Sequence, residues 1–219
     1  MKSKKRSIEQ IIEEQIQRWK LMQMEKPIEK PGVSIITISR EPGSGGSIIA
    51  KQLAGKLEVD LFHQKVLHEM AKNADVNTQL LKTLDEKGLS ILEDWISSLV
   101  HDRYIWPDQY LKKLMKVIGA IGKHGRAVIV GRGANFLLPP DDCFRVRVIS
   151  PQHVRVQNIV KRFNIPENEA KRRVIRTESD RRAFVRKYFN AEIADPVNYD
   201  MVINTGSVRV DNAVTAISA

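Results

Sequence analysis

Val33-Ser34-Ile35-Ile36-Thr37-Ile38-Ser39-Arg40-Glu41-Pro42-Gly43-Ser44-Gly45-Gly46-Ser47-Ile48-Ile49-Ala50 reads as an apolar strand that runs into a glycine-rich loop and then into a helix. Such a loop is a phosphate cradle. Glycines let the backbone turn tightly and leave its N–H groups uncovered, and the helix behind adds the positive end of its dipole, so anionic oxygens are held without side chains. A full ATP-binding loop also carries Lys-Ser/Thr after the last glycine, the lysine for the terminal phosphates and the hydroxyl for Mg²⁺. Here Gly46 and Ile48 stand where that pair is expected, and Ser47 offers a hydroxyl one residue early, either for Mg²⁺ or as a cap for the helix start. The stretch predicts phosphate binding through Gly43, Ser44, Gly45, Gly46 and Ser47. Phosphoryl transfer needs its own argument.

The flanking sequence extends this into a sheet. Residues 48–57 read as a helix with Ile49, Leu53 and Leu57 on one face, and Val59-Asp60-Leu61-Phe62 reads as a short second strand. A strand, helix, strand unit implies a parallel sheet. Residues 65–121 are mostly helical by periodicity, with breaks near 73–77, at Gly88 and at Trp106-Pro107. Ala127-Val128-Ile129-Val130-Gly131 is a continuous apolar run, as a strand buried on both faces requires. Phe144-Arg145-Val146-Arg147-Val148-Ile149 and Met201-Val202-Ile203-Asn204 supply the fourth and fifth strands, with a long arginine-rich helical stretch from Pro151 to about Phe189 between them. Upstream, Ile8, Ile11, Ile12, Ile16, Trp19 and Met22 recur at helical spacing, so residues 5 to about 24 form an amphipathic helix. Two prolines and Gly32 mark 25–32 as a linker. The helix packs on its own domain or on a twin subunit as a homodimer. Its narrow apolar face and interspersed acids argue against a membrane.

Length and charge bound the alternatives. A chain of 219 residues builds one α/β domain with at most a small appendage. A formal charge of +10 points to an anionic partner such as nucleotide phosphates, nucleic acid or a membrane surface. Cys143 is the single cysteine, which excludes an intrachain disulfide. The basic N-terminus leads into charged sequence rather than an apolar signal core, and no stretch approaches membrane-spanning length. The expected location is a reducing cytoplasm.

Three blocks together resemble the cytidylate kinases, and more closely the cytidylate kinase-like proteins with a Ser-Arg-Glu-x-Gly-Ser-Gly-Gly loop. They are the strand and loop from Ile36 to Gly46, then Val128-Ile129-Val130-Gly131-Arg132-Gly133, then Asp180-Arg181-Arg182 followed by Tyr199-Asp200-Met201-Val202-Ile203-Asn204-Thr205. The resemblance runs from about Val33 to the C-terminus. It implies a three-layer P-loop kinase fold: a five-stranded parallel sheet, helices on both faces and an arginine-rich helical lid. Residues 33–219 would form the kinase-like domain, with a helical acceptor region at about 64–122 and the lid at about 151–190, and residues 1–32 would lie outside it. It also implies ATP as phosphate donor, Mg²⁺, and a nucleoside monophosphate or another small phosphorylated acceptor.

Departures from the family pattern are as specific as the match. Where cytidylate kinases follow Gly-Arg with an Asp that helps recognise the cytosine nucleotide, this chain has Gly133. The acceptor segment after the second strand, an Asp-x-Gly in the family, reads Phe62-His63-Gln64-Lys65 here. Phosphoryl transfer asks the protein to position two substrates and neutralise charge, so a missing lysine can be replaced by another cation. Arg40 stands where such loops have their first glycine, and either binds phosphate or pairs with Glu41 or another acid. Arg132 stands at the carboxyl edge of a parallel strand, where ligands of open α/β sheets bind, and is expected in both catalysis and acceptor binding. In the family, lid arginines close over the transferring phosphate. By that resemblance Arg176 and Arg186 are the expected catalytic arginines, with Asp180 orienting one of them or holding the acceptor sugar.

Weaker signals rank below these. The five histidines show no metal-ligand spacing with Cys143, and Asp85-Glu86 reads as a helix-end feature rather than a general base. Trp95, Tyr104, Trp106 and Tyr110 fit core packing better than base stacking. Three functional classes remain: a nucleotide kinase, which leads; a catalytically inactive nucleotide sensor, favoured by the missing lysine; and a nucleic-acid-binding protein. The last is favoured by the charge but has no helix-turn-helix, zinc or RNA-recognition signature. A dinucleotide enzyme is a lesser rival, because Ile48 stands where its third glycine belongs.

Overall fold

The structure, a computed structural model, describes residues 7–24, 35–102 and 107–219. The linker at 25–32, Tyr104 and Trp106 therefore lie outside the described residues. By mutual contact the chain divides into two compact units, one of residues 1–32 and 63–125, the other of 33–62 and 126–219.

The second unit is built on a five-stranded sheet: β1 (Ile35–Arg40), β2 (Asp60–Phe62), β3 (Ala127–Val130), β4 (Cys143–Ile149) and β5 (Met201–Asn204). All pairings are parallel, in the order β2-β3-β1-β4-β5. Helices α2 (Gly46–Leu57) and α10 (Val210–Ser218) share a core with alternate strand residues, including Ile38, Val128, Val130, Val146 and Val148. This is the period-2 pattern of strands with one face under helices. With the further helices α7 (Ala134–Leu137), α8 (Gln152–Phe163) and α9 (Glu167–Phe189), the architecture is the expected three-layer one. Helix α7 packs on β1. Because β1 lies between β3 and β4, the carboxyl ends of these three strands open onto one edge, where a doubly wound sheet binds its ligand.

The arginine-rich stretch is two helices rather than one. Asn164 closes α8 in the left-handed conformation (φ 52°), and Pro166, which lacks a backbone donor, caps α9. Edge strand β5 is held by a forked pair: Asp200 Oδ1 accepts from Arg145 Nη2 at 2.6 Å, and Oδ2 from Arg145 N–H at 2.7 Å and Nε at 3.1 Å. The Arg145 side chain holds the Asp200 carboxyl below its ordinary value of 3.8, against a smaller opposing effect of burial. A depressed carboxylate contributes stability above its unfolded pKa and loses it as pH falls through the folded one. Asp200→Asn is thus expected to cost about 1 kcal/mol at pH 7, a half-exposed pair being screened. Thermal unfolding from pH 7 to pH 2 should show that difference hold to about pH 4 and shrink below it. At the start of β4 the Cys143 thiol is buried, which pushes it up to about 12, so it is an inert core group.

The first unit is helical: α1 (Ile8–Met24), α3 (Gln64–Lys72), α4 (Ala74–Leu81), α5 (Glu86–Asp102) and α6 (Gln109–His124). A capping box starts α1, Ser7 Oγ accepting from Gln10 N–H while Gln10 Oε1 accepts from Ser7 N–H. The buried face of α1, with Ile12, Ile16 and Trp19, belongs to a helix that packs on α3 and α4. A homodimer through this helix would be left with its outer face, where Leu21 is exposed. Trp19 stacks on His124 at 4.4 Å, whose Nε2 lies 2.7 Å from Thr83 Oγ1, and His68 meets Tyr110 O–H at 3.1 Å. These histidines are structural, and Tyr110 is committed to the helical unit. Gly88 does not break a helix. It sits in the first turn of α5, where its N–H donates to Asp85 Oδ1, so the break lies just upstream and Asp85 is a helix-end group as expected.

Candidate functional site

The loop between β1 and α2 is fixed from three sides. Asn158 Nδ2 of α8 donates to Gly43 O at 2.8 Å, Thr205 Oγ1 lies 2.7 Å from Ser44 O, and Ser44 Oγ donates to Glu41 O at 2.9 Å. Gly43, at φ 83°, packs so closely on the Arg155 backbone that a Cβ there would meet the Arg155 carbonyl oxygen. Carbonyls of the loop are thus engaged from outside. Gly45, at φ 79°, caps α2 without a side-chain bond, and the first N–H groups of the helix have no intrahelical acceptor. This is the geometry of an anion cradle.

The helix boundary corrects the register of the loop. Gly46 opens α2 and Gly45 precedes it, so Gly45 is the last loop glycine. Counted from it, the pattern G-x-x-x-x-G-K-[ST] places its lysine at Gly46 and its hydroxyl at Ser47, not at Ile48. Ser47 is therefore in step rather than early, and the cap role falls to Gly45. Of the Lys-Ser/Thr pair only the lysine is missing. The first position of the same pattern falls on Arg40.

Arginines gather at the carboxyl edge of β1 and β3. Arg181 of α9 donates through Nη1 to Arg40 O at 2.6 Å. The Arg40 guanidinium lies against Gly131, where a Cβ would collide with Nη1. Arg132 sits between Gly131 and Gly133, and all three have positive φ, 76°, 58° and 70°. Its guanidinium lies 5.5 Å from the Phe184 ring, and its Nε is buried with no hydrogen-bond partner among the described residues. Burial first, then the nearby charges of Arg181 and Arg132, push Arg40 down to about 9. Burial and Arg147 also lower Arg181, with Glu178 opposing. Arginine keeps its proton at neutral pH, so these shifts register positive charges buried near one another.

Glu41, the neighbour of Arg40, is engaged elsewhere. Glu41 does not serve Arg40. Its carboxylate accepts from Ser150 N–H at 2.9 Å and pairs with Arg155 at 3.3 Å and Arg147 at 3.9 Å. Arg155, buried on α8, also donates to Ser150 O and to Glu178 Oε2, both at 2.8 Å. Glu178 and Glu192 continue the chain of pairs to Arg182 and Arg186. Arg147 completes the buried polar layer, donating to Ser39 Oγ at 3.2 Å beneath the Tyr199 ring.

The structure brings Arg40, Gly43, Ser44, Gly45, Gly46, Ser47 and Arg132 to one edge of the sheet. It does not bring Arg176, Asp180 or Arg186 there in the same way: Arg176 and Asp180 are exposed on α9, and Arg186 is exposed and paired with Glu192. Arg181 takes the position nearest the loop. Its signal was in the helical period, since residues 174, 181, 185 and 189 fall on one face, the buried one, and 176 lies opposite. The roles of Glu41, Arg147 and Arg155 escape a sequence reading because the contacts of Glu41 with Ser150 and Arg155, and of Arg147 with Ser39, span more than 100 residues.

Comparison with known proteins agrees with this geometry. A curated cytidylate kinase of Methanocaldococcus jannaschii is 27% identical over 191 residues, covering 84% of this chain and 96% of the relative. The cytidylate kinase of Sulfurisphaera tokodaii is 28% identical over 188 residues, covering 84% and 93%. The fold is shared by a crystal structure of an uncharacterized protein from Eubacterium ventriosum, with a TM-score of 0.63 at 22% identity, covering 84% of this chain and 94% of that one. The profile of the cytidylate kinase-like family matches residues 35–207, and the chain belongs to that family.

Proposed function

We propose that the protein is a nucleotide kinase that transfers the terminal phosphate of ATP to a nucleoside monophosphate or a related small phosphorylated acceptor. One observation carries the reading: arginines from β1, the end of β3 and α9 converge on the mouth of an uncapped glycine loop. Positive charges buried together are costly unless an anion joins them. The backbone N–H groups of the loop cradle the nucleotide phosphates. Arg132 at the end of β3 reaches the acceptor phosphate, and Arg181 lies over the loop from α9. Arg176, Arg186 and Asp180, exposed on α9, would act only after α9 moves toward bound nucleotide.

Ser47 fits Mg²⁺ as a single hydroxyl ligand in the first turn of α2, the remaining positions falling to phosphate oxygens and water. Among the described residues no group of three His, Cys, Asp or Glu side chains could hold a metal ion. Ion binding would thus depend on the nucleotide. When bound, Mg²⁺ neutralises charge between the phosphates. No described helix is long and apolar enough to cross a membrane, and a lone buried thiol suits the reducing cytoplasm.

A second reading, a nucleotide sensor without turnover, draws on the glycine at the lysine position. Product analysis separates the two. Purified protein with Mg-ATP and a panel of CMP, dCMP, UMP, AMP and GMP is expected to yield ADP together with one nucleoside diphosphate. ATP binding with neither product would overturn these nucleoside monophosphates as acceptors and leave the sensor or a kinase for another small phosphorylated acceptor.

A further inference from the structure

Two glycines on different elements have no room for a Cβ, and the side chain of Arg40 is the nearest obstacle at both, with Val148 Cβ also 3.2 Å from a Cβ at Gly46. A Cβ at Gly46 would stand 2.6 Å from Arg40 Cβ and 3.2 Å from its Cγ, and a Cβ at Gly131 would run into the guanidinium. The root of the arginine thus closes position 46 to every other residue, and its tip needs a bare backbone at the end of β3. Contact at the root is the more restrictive, because a Cβ is fixed by the backbone and cannot swing aside. Positions 40 and 46 are also the first and seventh of the phosphate-loop pattern, glycine and lysine in its full form. A glycine at 40 removes the nearest obstacle to a side chain at 46, leaving Val148 Cβ at 3.2 Å to give by a few tenths of an ångström; an arginine at 40 closes the position.

We propose that Arg40 and Gly46 are an exchanged pair, in which the cation for the terminal phosphate of the nucleotide comes from the end of β1 instead of the start of α2. This rests on the nucleotide-binding reading above and adds to it which residue does the work of the lysine, and why the lysine cannot return alone. The exchange alters geometry as well as identity. A planar guanidinium presents a fork of donors to two phosphate oxygens, whereas a lysine ammonium is a mobile point charge. Its backbone is anchored too, through the bond from Arg181 to Arg40 O, so α9 and the phosphate cation are positioned together.

The test is Mg-ATP binding by calorimetry on the full chain, with circular dichroism as a check of folding. Arg40→Ala is expected to weaken binding on the order of 100-fold, as the loss of a charged hydrogen-bonding group does. Gly46→Lys alone should also weaken it, by at least about tenfold, because the new side chain displaces Arg40. The double variant Arg40→Gly/Gly46→Lys should recover to within about tenfold of the parent, a rescue that a purely structural arginine would not give. Gly131→Ala, which crowds the tip of Arg40 and also strains a backbone at φ 76°, carries the test if Arg40→Ala does not fold, provided that circular dichroism shows it folded, and should raise KM for ATP more than it lowers kcat. A folded Arg40→Ala binding within twofold of the parent, or a double variant no better than Gly46→Lys, overturns the exchange and leaves the nucleotide reading intact. A parent protein that binds no Mg-ATP overturns both.

Discussion

Replacing Arg132 by glycine is expected to lower turnover in the Mg-ATP assay on the order of 100-fold while the melting temperature stays level or rises slightly. The two halves of this expectation have separate physical causes. Arg132 holds φ at 58°, in the left-handed region, which costs a residue with a Cβ about 1–2 kcal/mol and glycine nothing. Its Nε is buried without a partner among the described residues, so removing it relieves a desolvation cost. Against these gains stand the lost contact with the Phe184 ring at 5.5 Å, about 1 kcal/mol, and the added chain entropy of a glycine, about 0.5–1 kcal/mol. The sum is near zero.

A side chain that costs as much as it contributes to the empty fold is retained for something the empty fold does not contain. The developing charge of a transferred phosphate is such a partner. Arg132→Ala serves as the companion variant, since it loses the guanidinium but keeps the strained backbone, and should melt below Arg132→Gly by about 2–4 °C. Steady-state kinetics and thermal unfolding on both proteins check the claim. If Arg132→Gly retained turnover and melted more than about 6 °C lower, Arg132 would be a structural residue.

Most of the sheet could be read from the chain because buried parallel strands are short apolar runs, and Ala127–Val130, buried throughout and followed by Gly131, is such a run. The loop could be read because its glycines are a local requirement of one turn. Its register could not, since a count of glycines does not say which one ends the loop, and only the start of α2 at Gly46 places Ser47 in step. The arginines divide in the same way. Arg40 and Arg132 are found by their place at strand ends, a property of the chain. Arg181 stands out from Arg176 and Arg186 only when α9 is given a buried face by Val174, Val185 and Phe189. Glu41 looks like the natural partner of its neighbour Arg40, yet it stands just past the end of β1, and its charge goes to Arg155 and Arg147.

Gly133 extends the logic of the exchanged pair to the base-recognition position. The resemblance to cytidylate kinases implies an Asp there, and introducing one by Gly133→Asp is expected to lower the melting temperature by about 10 °C and to bring no preference for CMP. Gly133 has φ 70° and lies against Phe189, so that a Cβ would meet the ring. Phe189 cannot yield easily: it is 1% exposed, stacks on Phe136 at 5.3 Å and is the last residue of α9. Overpacking of this kind costs about 1–3 kcal/mol and the left-handed backbone about 1 kcal/mol more. Truncating the ring to make room would itself cost about 3–5 kcal/mol. Thermal unfolding of Gly133→Ala isolates the steric part, and a melting temperature within about 2 °C of the parent would show that the ring moves aside and that the absent carboxylate has another cause. With the expected fall, Gly133 and Phe189 are bound together as Gly46 and Arg40 are. These two departures from the cytidylate kinase pattern then each come with a side chain that fills the space, and reversing either would require changing both members of its pair at once.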